Sequence, residues 1–213
     1  MNCLLMITSL MSFLTGRSAI AADPVVTNDD QHNEVYQRGS GRISPSMQLL
    51  GREPKVSQKV KEQILIGIKD LDAVTAYNPK NWAAFWIKGK GYQALGNYTA
   101  ANAEFKASFG LQKENADVAR EYAASCLELG LGDEAVSAAR HAIALKPNDA
   151  GLHANLALVL LISGKNAEAK NAILESLKMA PAGRISLAVS KIIDDVIAGK
   201  RGQPKTMGDL TKN

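Results

Sequence analysis

Residues 82–115 read WAAFWIKGKGYQALGNYTAANAEFKASFGLQKEN, residues 116–149 ADVAREYAASCLELGLGDEAVSAARHAIALKPND, and residues 150–183 AGLHANLALVLLISGKNAEAKNAILESLKMAPAG. Set one under another they align without a gap, because Gly96, Gly130 and Gly164 recur every 34 residues. Counted from one within each segment, position 8 holds Gly89, Ala123 and Ala157, and position 20 holds Ala101, Ala135 and Ala169. Position 27 holds Ser108, Ala142 and Ser176, and position 30 Leu111, Leu145 and Met179. Pro147 and Pro181 stand at position 32, where the first segment has Lys113.

This spacing predicts two antiparallel helices per segment. A glycine near the middle lets the chain reverse through positive φ. Small residues at positions 8, 20 and 27 allow the paired helices to approach closely. Position 11 (Tyr92, Cys126, Leu160) and position 24 (Phe105, Ala139, Ile173) fill the space between them. Proline stops the second helix and starts the turn into the next unit. One unit cannot bury its apolar face alone, so the units must stack.

The pattern resembles the tetratricopeptide repeat family, with its W-x2-L-G-x2-Y, A-x3-F and P positions. The first unit carries it best, in Phe85, Gly89, Tyr92, Ala101 and Phe105; Lys88 and Lys113 replace the usual Leu and Pro, and Ala119 and His153 take the first aromatic place. The resemblance covers residues 82–183 and implies an all-α, right-handed superhelix of antiparallel helix pairs, an α-α solenoid with capping helices at both ends. It also implies a non-catalytic protein that binds polypeptides on its concave side.

Outward from the repeats, Val60, Ile64, Ile68, Leu71 and Val74 predict an amphipathic helix ending near Tyr77, before Pro79. Residues 56–81 are then expected to be the second helix of a truncated unit, capping the amino-terminal end. On the other side Ile185, Val189, Ile192 and Val196 form a stripe that predicts a carboxyl-terminal capping helix over 184–198. Residues 23–55 hold no lasting period among their glycines, prolines and acidic residues and are expected to form a flexible leader. Residues 199–213 are expected to be a disordered tail.

Residues 1–22 resemble a secretory signal. An apolar run from Cys3 to Leu14 precedes Ala19-Ile20-Ala21, a small-x-small cleavage pattern, and polar sequence begins at Asp23. The run is short for a bilayer span. Export to a periplasm, or secretion, is expected, with the bacterial periplasm favoured and no membrane span left after cleavage. Cleavage would remove Cys3 and leave Cys126 alone, without an intrachain disulfide and best tolerated if buried.

The whole chain has 25 basic and 21 acidic residues and a net charge of +4; without Arg17, the one charge before residue 23, 24 basic residues face 21 acidic. The basic residues are dispersed apart from Lys200, Arg201, Lys205 and Lys212, and aromatics are only 5%. No basic stripe with stacking aromatics is present, so nucleic acid is not an expected partner. His32, His141 and His153 lack ligand-spaced companions, so no metal or other cofactor is expected. Gly89-Lys90-Gly91 lacks the third glycine and the preceding strand of a dinucleotide loop. Asn97-Tyr98-Thr99 is a glycosylation sequon only in a eukaryotic setting. No converging nucleophile, base and acid are visible, and no enzymatic activity is expected.

At 100° per residue, positions 4, 7, 8 and 11 of each first helix face its partner helix, and positions 2, 5, 6, 9, 12 and 13 face away. The resemblance places the second set on the concave groove. The candidate protein-binding residues are Trp86 and Lys90 from the first unit, Arg120 and Leu127 from the second, and Asn155, Leu158, Leu161 and Ile162 from the third. Relatives that clamp a terminal carboxylate use Lys, Asn, Asn, Lys and Arg at positions filled here by Trp86, Lys90, Glu121, Gly151 and Asn155, so that clamp is not formed. The apolar third unit is expected to floor a site for a protein or peptide. Two alternatives stand beside it: Met47, Leu49 and Leu50 folding back into the groove, and grooves filled by neighbouring copies in a homo-oligomer.

Overall fold

The computed structural model describes residues 24–47 and 56–211, and residues 1–22, read as a signal, lie outside that range. The described residues form nine α-helices: α1 (Asp29–Ile43), α2 (Gln58–Tyr77), α3 (Trp82–Ala94), α4 (Tyr98–Leu111), α5 (Ala116–Glu128), α6 (Gly132–Leu145), α7 (Ala150–Ile162), α8 (Asn166–Met179) and α9 (Arg184–Ile197). Short 3-10 turns follow at Ser44–Ser46 and Met207–Thr211. α1–α2, α3–α4, α5–α6 and α7–α8 pair as neighbours, each pair packs on the next, and α9 closes the stack against α7 and α8. This is an α-α solenoid of the tetratricopeptide kind.

Local chemistry sets the helix starts. Asn28, Ser57, Asn81, Asn97, Asn115 and Asp149 each accept a hydrogen bond from a backbone N–H in the first turn of the helix that follows. Gly96, Gly130 and Gly164 turn α3 into α4, α5 into α6 and α7 into α8 with φ of +74°, +71° and +75°. At position 8, a Cβ on Gly89 would lie 2.7 Å from the Phe105 ring, so α3 and α4 meet where only glycine fits. Position 27 adds a bond to its small size: Ser108 Oγ donates to the Trp82 carbonyl at 3.0 Å and Ser176 Oγ to the Ala150 carbonyl at 2.7 Å. The two serines tie second helices to the starts of first helices.

The amino-terminal end differs from the expected flexible leader and half unit. Residues 29–43 are helical, with Asp29 and Asp30 at the positive end of the helix dipole and Arg42 at the negative end. α1 therefore completes a pair with α2. Its buried face consists of Val35, Gly39, Ser40 and Ile43, so two of four core positions read as polar or breaker residues. Buried Asp70 on α2 holds α1 in place: its carboxylate accepts from Arg38 Nη2 at 2.8 Å and from Arg42 Nη1. Met47 packs against the amino-terminal core that holds Ile43, Ile64 and Leu71, and not in the groove. Leu49 and Leu50 lie outside the described residues.

At the carboxyl-terminal end α9 lies where a capping helix is expected, and the tail after it departs from expectation. α9 buries Ser186, Val189 and Ile193, and the positions that would meet a second helix of its own carry the exposed Leu187 with Ser190, Lys191 and Asp194. Lys170 reaches Asp194 at 2.6 Å and Lys191 reaches Asp195 at 2.7 Å, so ion pairs finish the part of this face beyond Leu187. Beyond it the expected disordered tail is ordered through residue 211, with Pro204 buried and Met207 and Leu210 packed against the main core.

Candidate protein-binding groove

The first helices of successive units lie side by side, α1 by α3, α5 by α7 and α7 by α9. Their outward positions form one surface with two chemically different halves.

The half on α3 and α5 is polar and already engaged. Lys90 is only 2% exposed; its ammonium donates to Glu121 Oε2 at 2.6 Å and lies 5.5 Å from the Trp86 ring centroid and 5.7 Å from that of Phe105. A buried cation with this partner bridges two first helices, so Lys90 shapes the floor and does not reach out to a ligand. Glu121 also meets Arg120 at 3.5 Å, Arg120 meets Asp117 at 3.1 Å, and Asp117 meets Lys146 at 3.3 Å. Trp86 is half-buried, and its Nε1 has no hydrogen-bond partner among the described residues; the same holds for Gln93 Oε1, two turns along the same face. Arg120 keeps an exposed edge.

Lys88, on the opposite face of α3, belongs to the scaffold. It joins Asp72 on α2 at 2.7 Å to Glu104 on α4 at 3.0 Å. Burial works against its charge, but the two carboxylates outweigh burial and hold its pKa above the ordinary lysine value. Burial pushes the Glu104 carboxyl up, against the pull of Lys88.

The half on α7 and α9 is apolar. Leu158 and Ile162 occupy positions 9 and 13 of α7, and Ile192 and Val196 the same positions of α9; all four are half-buried over the main core. Ile185, at position 2 of α9, is 61% exposed. The sequence stripe marks Ile192 and Val196 only as cap residues, although they continue the groove. Asn155 is half-buried beside this patch, and its amide has no hydrogen-bond partner among the described residues. Leu127 and Leu161 are buried, so these two expected contacts belong to the packing between first helices. The structure thus leaves Trp86, Arg120, Asn155, Leu158 and Ile162 accessible in part, and takes Lys90, Leu127 and Leu161 into the interior.

Reactive groups are quiet. Cys126 is buried, and burial pushes its thiol pKa up while hydrogen bonds from Asn102 and Tyr122 oppose it. His141 Nε2 donates to the Lys113 carbonyl at 2.7 Å and His153 Nε2 to the Pro147 carbonyl at 2.9 Å. Among the described residues no three His, Cys, Asp or Glu side chains gather as a metal site, and no helix is long and apolar enough to cross a membrane.

No protein-family model matches the sequence, and no curated protein matches it. Solved structures do. MamA 41-end from Desulfovibrio magneticus RS-1 superposes with a TM-score of 0.65 at 14% identity, over 81% of this chain and 88% of that one. YrrB, described as a TPR protein with an unusual peptide-binding site, gives 0.58 at 14% identity over 82% and 87%. Pseudomonas aeruginosa pilF gives 0.59 at 19% identity over 81% and 70%. At such identities the likeness is one of fold.

Proposed function

We propose that the chain is a non-catalytic scaffold or assembly factor that binds a segment of another polypeptide along its first-helix groove, in an exported setting. The observation that carries this reading is the patch of Leu158, Ile162, Ile192 and Val196 beside the amide of Asn155. Apolar side chains give such a surface affinity, and an amide with a free donor and acceptor suits a peptide backbone. Polar residues from Trp86 to Arg120 at the other end fix direction. A peptide-binding site in YrrB, which shares the fold, supports the same use here. The apolar run ending at Ala19-Ile20-Ala21 supports export, and mature protein beginning at Ala22 or Asp23 is the expected product.

The second reading is a self-associating subunit of an envelope complex. It is favoured by the exposure of Ile185, Leu187 and Ile197 on α9, the last helix of the stack. Light scattering of the mature protein over a hundred-fold concentration range separates the two. Constant mass supports the scaffold, and mass rising with concentration, abolished by Leu187→Asp, supports self-association.

A further inference from the structure

After α9 the chain turns at Gly199, with φ +68°, as it does at the equivalent glycines after α3, α5 and α7, but no second α-helix follows among the described residues. The amides of Lys200 and Arg201 both donate to the Asp195 carbonyl, at 2.8 and 3.1 Å. Gln203 then reaches the corner between α7 and α8: its Nε2 donates to the Leu161 carbonyl, and its Oε1 accepts from Asn166 Nδ2 at 2.8 Å. Pro204 is buried, and Met207 and Leu210 follow at three-residue steps and pack against the main core. The segment closes on itself, since the Asp209 carboxylate accepts from Thr206 N at 3.0 Å and Lys205 N at 3.1 Å, and Arg201 Nη2 donates to the Asp209 carbonyl at 2.6 Å.

We propose that this corner is a segment-binding site whose resident ligand, in the isolated chain, is residues 203–211. The proposal rests on the reading of the solenoid as a polypeptide binder and names the chemistry of one ligand. That ligand is a segment with an amide side chain before a proline, then apolar side chains at the third and sixth residues after the proline, carried on a 3-10 turn. The resident segment is an imperfect fit. The Asn166 amide that meets Gln203 keeps its Oδ1 buried with no hydrogen-bond partner among the described residues. An unpaired buried polar atom weakens the seat it lines, and a ligand that satisfies it has an advantage. Tethering gives the strap an effective concentration on the order of 1 mM. A segment from another chain must therefore displace it, and the corner is closed until it does.

The test uses full-length protein and a fluorescein-labelled peptide of residues 200–211 as probe. For a free-site affinity of ~0.1 mM, the tether masks binding by about ten-fold. M207D/L210D, checked for a cooperative thermal melt, should bind the probe about ten-fold more tightly than wild type. A peptide carrying the same two aspartates should not bind. Gln203→Ala, which leaves the apolar packing intact, should show a smaller gain. Equal probe affinity for wild type and both variants overturns the proposal, as does amide exchange showing residues 203–211 unprotected in wild type. Leu158 is intact in every variant, so a negative result removes the strap and leaves the groove reading to its own measurements.

Discussion

Gly39 of α1 and Gly67 of α2 meet backbone to backbone: a Cβ on Gly67 would lie 2.8 Å from the Gly39 carbonyl oxygen, and one on Gly39 3.0 Å from the Gly67 carbonyl oxygen. The first pair of the solenoid depends on this approach, because it also brings the two arginines of α1 onto Asp70. Helix propensity alone would make Gly→Ala stabilising by roughly 1 kcal/mol. Gly39→Ala should instead destabilise by ~1–3 kcal/mol, because backbone cannot yield as a flexible side chain does. Gly41, on the same helix with nothing within 4 Å of an added methyl, is the control. Gly41→Ala should raise the denaturation midpoint while Gly39→Ala lowers it.

Lys90 and Glu121 should behave as a unit. Lys90→Met leaves the Glu121 carboxylate, whose side chain is 14% exposed, without its 2.6 Å partner. Breaking a buried pair from one side costs about 3–5 kcal/mol. K90M/E121Q should recover much of that loss, and a double-mutant cycle in urea measures the coupling. Additive single-variant effects would show that the bridge between α3 and α5 contributes little.

Alkaline pH should expose Tyr122. Burial, followed by its hydrogen bond with Cys126, pushes its pKa up to about 12, against ~10 for an unperturbed tyrosine. The folded state therefore keeps the phenol protonated where the unfolded state has lost the proton. Its contribution is constant below pH ~10 and turns against folding as pH rises from ~10 towards about 12. Tyr122→Phe should flatten the fall in urea midpoint between pH 9.5 and 11.5 relative to wild type, by no more than ~2–3 kcal/mol.

Ala135 is fully buried at position 20, and Ala150 is half-buried at the start of α7. Ala135→Leu should overpack the α5–α6 contact and cost ~1–3 kcal/mol, and Ala150→Leu should cost much less. Thermal melts of the two variants give the comparison directly.

The stacked helix pairs were legible in the sequence because Gly96, Gly130 and Gly164 and the small residues at positions 8 and 20 repeat. α1 was not legible. Its register is broken by the wide spacing in sequence between Ile43 and Gln58, and its buried face uses Gly39 and Ser40 where an apolar stripe would be sought. The strap was missed for a related reason. Its order comes from a few long-range bonds, Gln203 to Leu161 and to Asn166, which leave no periodic trace. Within the groove, angular position on the helix placed Leu158 and Ile162 on the outward face. It could not show that Lys90 pairs with Glu121, a partner from another helix, or that neighbouring first helices bury Leu127 and Leu161.

The claim that the first-helix face holds a polypeptide is tested most directly by site-specific photocrosslinking in cells. A benzophenone side chain is placed at Leu158 in one protein and at Leu174 in another. Leu174 is 42% exposed on α8, a second helix, and serves as the control. The account predicts a discrete adduct from position 158, mapped by mass spectrometry to a segment of another protein, and none from position 174. Identical adducts from both positions, or adducts at 158 only to other copies of this chain, would contradict it.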